Sequence, residues 1–488
     1  MNCQIGPSPY DVAWMVRVAE PDGDGPRWPH LVDWLLEHQW PDGSWGGAIP
    51  YYHDRILCTL AAVVALEERK GTQDVREAIR LGQRYIWNNT HLLHHDPIEL
   101  VGFELILPTL LSEARTLELD VPAHTCGYGQ VRAAKLRLLP MDLLYEPNTS
   151  VAFSIEFMGG RADPNRLGRL IRENGAIANS PAATAYVLSH TANGVDGLRY
   201  LESILNLAGG VPSVYPFRTF EAVWVLEHLS YGGLALDANL VDARIWQDLQ
   251  AAIEFDQKGV GVDPFFGIND GDTTSVTLHA LAMGGQAVDP LVLHRFEHPE
   301  TRVFRTFPFE RNVSVVTNAH ALEALSHMPD YPERQEVWDR IVTLFLASQK
   351  YQSYWIDKWH ASPYYATAHV LVSLISTREP LLSECLHSID WFLHTQRQDG
   401  SWGFFDRGTA EETAYVLLAL LHHHRSVGKL DTHALRRGAA YLYRWLEAGS
   451  EHPELWIAKT LYAPGSIVQA AILAAAILYE DTFGCGPE

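Results

Sequence analysis

Gln39-Trp40-Pro41-Asp42-Gly43-Ser44-Trp45-Gly46 returns far along the chain as Gln396-Arg397-Gln398-Asp399-Gly400-Ser401-Trp402-Gly403. Each copy follows one helical pattern and precedes another. Asp-Gly specifies a tight turn with a residue at positive φ. The Trp is placed to lie over the next helix and the Gln to cap a neighbouring helix end, so the octet reads as a structural clamp between helices. One copy in each half implies two related helical units. The flanking sequence agrees. Residues 55–68, 276–283, 413–422 and 467–479 are apolar almost all round, the pattern of helices buried among other helices. Strand-like alternation is scarce. Turn clusters at 21–26, 41–47, 209–212, 267–271 and 399–403 punctuate the helices. The expected fold class is all-α, built from stacked helical hairpins.

Composition narrows the partners. The 488 residues are 47% apolar, ample for large cores without disulfides or structural metals. Lys plus Arg is 37 and Asp plus Glu is 59, a net charge of −22. Such a chain is repelled by phosphate backbones and anionic headgroups, which argues against nucleic acid as a partner. A small anionic ligand would need locally placed cations. The 15 Trp, 20 Tyr and 17 Phe exceed what the turns alone require. Cys3, Cys58, Cys126, Cys385 and Cys485 are odd in number and form no CxxC pair, which reads as reduced thiols. With no basic stretch leading into an apolar run, the expected location is the cytoplasm. Residues 467–479 are too short to span a bilayer and are interrupted by Gln469, so a buried helix and no transmembrane segment are expected.

Chemistry concentrates in Phe265-Phe266-Gly267-Ile268-Asn269-Asp270-Gly271-Asp272-Thr273-Thr274-Ser275. Two carboxylates two residues apart sit in a glycine turn that opens an apolar helix. One reading makes Asp272 or Thr273 the helix cap. The other makes a carboxylic acid face an apolar cavity, where burial and a neighbouring carboxylate raise its pKa. A neutral Asp in a dry aromatic pocket is a general acid strong enough to protonate an alkene.

Several segments together resemble the class II diterpene cyclases. Ser8-Pro9-Tyr10-Asp11-Val12-Ala13-Trp14 resembles their SxYDTAW opening. The two octets are similar to their QW motifs, His53-Asp54-Arg55-Ile56-Leu57-Cys58-Thr59-Leu60 to HDRLxxTL, and Val101-Gly102-Phe103-Glu104 to GFE. Asp270-Gly271-Asp272-Thr273-Thr274-Ser275 resembles the catalytic DxDD in its bacterial DxDTT form. Asp357-Lys358-Trp359-His360, Thr409-Ala410-Glu411-Glu412-Thr413-Ala414-Tyr415 and Leu455-Trp456-Ile457-Ala458-Lys459-Thr460-Leu461-Tyr462 resemble bacterial members of the halimadienyl (tuberculosinyl) diphosphate synthase type. The matches run in order from residue 8 to the C-terminus.

The resemblance implies two α/α barrels, β and γ, with the active cavity between them. Residues 1–27 plus 209–488 would form the catalytic β domain and residues 28–208 the γ domain. It implies that Asp272 protonates the terminal alkene of a linear prenyl diphosphate, beside Asp270, and that a cascade of ring closures and a final deprotonation follow with the diphosphate retained. Thr273 replaces the last Asp of the full motif. Asn318 stands where plant relatives hold the acid through a hydrogen bond; a helix-cap Asn is the other reading. Trp359 is the first choice for stabilising carbocations through its π face, at about 2 kcal/mol when desolvated. Trp355, Tyr364, Tyr365, Trp402 and Phe404 are further candidates, with core packing as the alternative for each. Arg55, Lys135 and Lys358 lie in family-like segments and could meet the diphosphate. The implied cofactor is Mg²⁺, with Glu156, or Asp96 and Glu99 in a degenerate EDxxD-like register, as candidate ligands. The cluster His91, His94 and His95 reads as a solvated helix end. Phe153 and Ser213 occupy places where plant copalyl diphosphate synthases use a His and an Asn to position the terminating base. Neither is a base, so a longer-lived cation and a rearranged halimane or clerodane skeleton are expected rather than simple copalyl diphosphate.

The expected partner is a prenyl diphosphate, geranylgeranyl first and farnesyl second, with a homodimer as the candidate assembly. Class I synthase chemistry is disfavoured, because no Asp-Asp pair occurs in the chain. An inverting glycosidase on an α/α toroid would explain the aromatics but not the ordered motifs. A non-catalytic helical protein would not need Asp272 and Asn318.

Overall fold

The structure is a computed structural model and describes residues 5–487 apart from 22, 24, 70, 124–126, 192–193, 206–209, 238, 255–257, 309, 311, 378–382, 450 and 485. Cys3, Cys126 and Cys485 lie outside the described residues; Cys58 and Cys385 are buried free thiols. Helices dominate, as the hydrophobic pattern requires. They close into two rings. In the second ring Arg218–Tyr231, Gly271–Met283, Val315–Ser326, Pro363–Ser376, Ala410–Ser426 and Gly465–Phe483 each pack on the next, and the last returns to the first. In the first ring Pro9–Val16, Tyr52–Glu68, Phe103–Thr116, the kinked 3-10 stretch Ser150–Arg161 and Pro181–His190 close in the same way.

Position in the ring explains the sequence pattern. An inner helix touches neighbours on every side, so Tyr52–Glu68 buries an unbroken run from His53 to Leu66. An outer helix touches the ring along one stripe. Gln73–Asn89 buries only Val75, Ala78, Ile79, Gly82, Tyr85 and Ile86, at helical spacing. Thr432–Ala448 buries Leu435, Gly438, Ala439 and Leu442.

The octets do clamp helices. Trp45 Nε1 donates to Leu35 O at 2.7 Å and Trp402 Nε1 to Phe392 O at 2.7 Å, each tying an outer helix to the turn. Their backbone N–H groups donate to Thr59 and Thr413 Oγ1 on the following inner helices. Gln39 and Gln396 bridge the turn to Ala78 O and Ala434 O inside the next outer helices, rather than capping a helix end. Gly400 sits at φ 94° with Arg437 O only 2.4 Å from where a Cβ would be, so glycine is required twice over. A third clamp escaped the sequence reading. At Gln349–Trp355 the Trp355 Nε1 donates to Phe345 O at 2.7 Å and its N–H to Thr367 Oγ1 at 3.0 Å.

Two expectations change. Pro9–Val16 is a stave of the first ring, held between Tyr52–Glu68 and Pro181–His190, so assigning residues 1–27 to the C-terminal unit does not follow the packing. Among its ties to residues from 209 onward are the Ile5–Pro464 and Pro7–Pro212 bridges, the Ser8 N bond to Val211 O at 2.7 Å and the Ser8 Oγ–Thr460 Oγ1 bond of 3.2 Å. The apolar C-terminal helix is also longer than read. Gly465–Phe483 reaches 19 residues, long and apolar enough to cross a membrane, but here it is a stave of the second ring.

The two rings meet at the short hairpin Trp456–Ile457/Leu461–Tyr462. Leu461 N donates to Asp54, Val101 N to Ala458 O, and Ala48 N to Glu454. At the hairpin turn Lys459, 1% exposed, points into the first ring and donates to Glu156 Oε1 at 2.6 Å, Ser180 Oγ at 2.6 Å and Phe153 O at 2.8 Å.

Candidate active site

Asp270 caps the Gly271–Met283 helix, its Oδ1 accepting from Thr273 N at 2.7 Å. The cap is therefore neither Asp272 nor Thr273. Asp270 Oδ2 is buried with no partner among the described residues. Burial pushes this carboxyl up to about 8, against the Thr273 N–H and with the help of Asp272. A cap at Asp270 puts Asp272 in the first turn, facing the next stave. There Asp272 Oδ1 lies 2.7 Å from His320 Nδ1, and His320 Nε2 lies 3.1 Å from His369 Nδ1. No described residue bonds Asp272 Oδ2, and the side chain keeps 9% exposure. Burial alone would lower the His320 pKa, but adjacent Asp272, with Glu227 and Asp357 farther off, holds it above its ordinary value. Burial and the neighbouring His320, His228 and His360 push His369 well below.

Aromatic rings wall this pair. Trp224 stands edge-on to His320 at 5.5 Å and stacks on Phe220 at 3.8 Å. Tyr365 accepts from Trp224 Nε1 at 3.4 Å and lies 5.1 Å from Trp456. The arrangement holds one carboxyl oxygen against His320 and leaves the other without a described partner. That suits delivery of a proton to a weakly basic carbon.

Of the expected residues, Asp272, Asp270 and Tyr365 gather here. Trp359 is connected to them: its Nε1 donates to Thr306 Oγ1 at 3.3 Å, while Thr306 O accepts from Gly271 N at 2.9 Å. Asn318 does not hold the acid. Its Oδ1 accepts from Phe304 N at 2.8 Å and its Nδ2 donates to Phe304 O and Ser314 O. It does for its helix what Thr59, Thr274, Thr367 and Thr413 do for theirs, accepting the N–H of the incoming turn residue. Trp355 and Trp402 are clamps, Tyr364 turns outward to stack on Trp391 at 4.6 Å, and Phe404 is 40% exposed. His320, His369, Trp224, Phe220 and Trp456 were missed as site residues. The only signal was a histidine inside each of two otherwise apolar helices.

The expected cations are already engaged. Arg55 Nη1 donates to Ser44 Oγ at 2.7 Å, and its guanidinium lies 4.6 Å over Trp40, so it belongs to the clamp. Lys135 pairs with Glu104 and Lys358 with Glu310; these two keep 35% and 23% side-chain exposure. Phe153 packs on Phe266 at 5.8 Å, just ahead of the acidic turn, and Ser213 Oγ is buried without a partner among the described residues.

The Mg²⁺ ligand candidates fit unequally. Glu156 does not fit: Lys459 and Tyr10 OH take its Oε1, and the carboxylate is sealed in the first ring. Asp96 Oδ2 accepts both His53 N and His53 Nδ1 at 2.7 Å, which occupies one oxygen. Glu99 is exposed and carries one bond, from Tyr128 OH at 2.7 Å. An ion that keeps several waters and binds substrate phosphates needs only one or two carboxylates; of the candidates Glu99 is exposed, whereas the Asp96 side chain is 3% exposed and paired with His53.

Comparison with known proteins follows the same lines. Residues 310–466 match the family model of the squalene-hopene cyclase C-terminal domain. The chain is 35% identical to a type B diterpene cyclase of Mycobacterium tuberculosis over 98% of this chain and 96% of that one. It is 34% identical to an ent-copalyl diphosphate synthase of a Streptomyces species over 96% and 91%. Among solved structures, the ent-copalyl diphosphate synthase of Streptomyces platensis superposes with a TM-score of 0.79 at 31% identity, covering 98% of this chain and 96% of that one.

Proposed function

The chain belongs to the bacterial class II diterpene cyclases, and on that premise we propose that it converts geranylgeranyl diphosphate to a rearranged bicyclic diterpenyl diphosphate with Asp272 as the acid. The observation that carries the reading is the Asp272 carboxyl, gripped at Oδ1 by His320 at 2.7 Å and free at Oδ2. Protonation of the terminal alkene from Oδ2 leaves a cation; attack by the internal alkenes closes two rings and carries the charge onto the new ring system, and loss of a proton from carbon finally discharges it. Trp224, Tyr365 and Trp359 present π faces without reactive lone pairs of comparable basicity to carbon, which stabilises the migrating charge. Lys358, beside Trp359, and Lys135 are half-buried cations suited to anchoring the diphosphate, at the expense of their pairs with Glu310 and Glu104. Mg²⁺, held by Glu99 together with the substrate phosphates, would neutralise phosphate charge and take no part in the carbon chemistry. Phe153 and Ser213 support the product assignment, since neither accepts a proton readily and the cation has time for hydride and methyl shifts.

The experiment is incubation with geranylgeranyl and farnesyl diphosphate separately, followed by dephosphorylation, mass spectrometry and NMR. A C20 bicyclic alcohol with a halimane or clerodane skeleton is expected, with no inorganic pyrophosphate, loss of activity with EDTA, and no product from Asp272→Asn. An unrearranged labdane overturns the product assignment, turnover confined to farnesyl diphosphate overturns the substrate, and an active Asp272→Asn overturns the acid.

A further inference from the structure

Three of the segments that carry the family resemblance, residues 357–360, 409–415 and 455–462, converge on a side chain that the acid and the aromatic wall leave unused. Glu411 is fully buried. It stands in the first turn of the Ala410–Ser426 helix, where the helix dipole favours an anion. Its Oε1 accepts from Trp456 Nε1 at 2.7 Å, from His360 Nε2 at 3.1 Å and from Tyr415 OH at 3.2 Å. Each donor can be assigned. An indole nitrogen only donates. The shorter contact of His360 Nδ1 is with the Ser362 N–H, at 3.1 Å, so Nδ1 accepts, the ring proton is on Nε2 and the imidazole is neutral. Burial and the Glu411 charge hold the Tyr415 hydroxyl well above its ordinary pKa, so it keeps its proton. Three donors onto one oxygen suit a carboxylate anion, and all three are neutral. Among the described residues no lysine or arginine pairs with Glu411, and its Oε2 has no partner. A sealed anion without a cation is costly in a packed core. What surrounds it is the aromatic wall. His360 stacks on Tyr365 at 4.5 Å and 15°, and Trp456 stands edge-on to Tyr365 at 5.1 Å and to Phe220 at 5.8 Å.

We propose that Glu411 is the fixed counter-charge of the carbocation, a negative charge set one ring deep behind the aromatic wall. The proposal rests on the reading above, in which positive charge forms in front of Tyr365 and its neighbours. The N–H···O⁻ bonds from Trp456 and His360 push electron density into the indole and imidazole rings, and the imidazole backs Tyr365 through its stack. The alkenes of the substrate are uncharged before protonation. Glu411 therefore attracts the cation and not the ground state, which is the differential binding that lowers a barrier. Its depth matters as much as its charge. A carboxylate in contact with the cation would be alkylated, or would take a proton and end the cascade. Glu411 is sealed behind rings that do neither, so it lengthens the life of the cation and gives hydride and methyl shifts their time. Because it acts through Trp456, His360 and Tyr365, it is a positioning residue.

Glu411→Gln tests this in the full-length enzyme, since the amide keeps an oxygen for Trp456 and His360 and loses the charge. The probes are two analogues of geranylgeranyl diphosphate. One carries a tertiary amine in place of the terminal alkene, protonated at neutral pH, and the other an uncharged saturated carbon there. Titration calorimetry gives both dissociation constants. The parent should prefer the amine. Glu411→Gln should cut that preference about tenfold or more, with its affinity for the neutral analogue within about twofold of the parent. Glu411→Asp keeps the charge and should restore most of the preference. With geranylgeranyl diphosphate, kcat of Glu411→Gln should fall about tenfold at unchanged KM, the mark of an interaction made only in the transition state. Equal weakening of both analogues means a structural role and overturns the proposal. If the amide variant does not fold, Glu411→Leu with His360→Phe replaces the pair by apolar side chains and is judged on the same ratio. A parent that binds the two analogues alike removes the cation from this wall, and with it the reading on which the proposal rests. A parent preference that survives in Glu411→Gln overturns the Glu411 assignment alone.

Discussion

In the proposed function the proton that starts the reaction sits on the carboxyl that His320 contacts at 2.7 Å, so the charge of His320 and the acidity of Asp272 are linked. A cationic donor at Oδ1 stabilises the carboxylate left behind and strengthens the acid. Replacing it with glutamine keeps a hydrogen bond and removes the charge. His320→Gln is expected to lower kcat by about a hundredfold, within the usual span of acid–base contributions, with KM and product skeleton unchanged. The parent's activity should fall on the alkaline side as His320, held above its ordinary pKa, loses its proton; the variant should lose that limb. Steady-state assays across pH 6 to 9 check both. At this scale the sequence was half legible. The Asp270–Asp272 pair marks itself by its turn. Asn318 and His320 are two residues apart in one helix, and residues at that spacing face different ways. Spacing alone does not tell which of them faces the acid, and the clamp geometry that claims Asn318 comes from Phe304, far from it in sequence.

The clamp is the element from which both rings are built, and its parts are separable from the chemistry. Trp355 is fully buried, with its indole N–H spent on Phe345 O and its backbone N–H on Thr367. Trp355→Phe keeps an aromatic face but leaves Phe345 O without its donor, at a cost of about 1–3 kcal/mol. Denaturant unfolding should show that loss, while the product mixture stays that of the parent. A changed skeleton would return Trp355 to the cavity wall. The Gln39 and Gln396 clamps were legible because Asp-Gly announces the positive-φ turn. The Gln349–Trp355 clamp was not, because Tyr351 and Gln352 take φ values of 49° and 55° that their side chains disfavour. The ring closure itself was read through family resemblance. No local signal in Pro9–Val16 says which neighbours it will join, and its sequence distance from its partner Pro181–His190 hides the first ring's closing contact.

Over the whole molecule, many acidic groups lie inside the rings, and their protons set how stability depends on pH. Burial raises Asp270 to about 8 and, against the pull of Lys459, Asp11 to about 7. Glu323 is raised by burial and by Glu227, and His320 is raised despite burial. In the unfolded chain the carboxyls lose their protons near pH 4 and histidine near pH 6.5. Between pH 6.5 and 8 the folded chain therefore binds more protons than the unfolded one at each of these groups, and stability falls as pH rises through their folded values. The lowered histidines oppose the carboxyls below pH 6.5 and, fading, up to about pH 7.5, where unfolded imidazoles still hold protons: His228, lowered by burial to about 4, with His327, His369, His422, His423, His424 and His452. Each retained proton is worth about 1.4 kcal/mol per pH unit, so Asp270, holding its proton to about 8, and Asp11, to about 7, should together withdraw about 2 kcal/mol of unfolding free energy from pH 6.5 to 8. Asp11→Asn with Asp270→Asn preserves the oxygens that accept Ala182 N and Thr273 N and removes two of the titrations. The double variant should therefore show a flatter profile than the parent in urea unfolding at the two pH values. A parent whose stability rises from pH 6.5 to 8 would mean that these carboxyls are ionised in the folded rings, and a slope unchanged in the double variant would assign the protons to other groups.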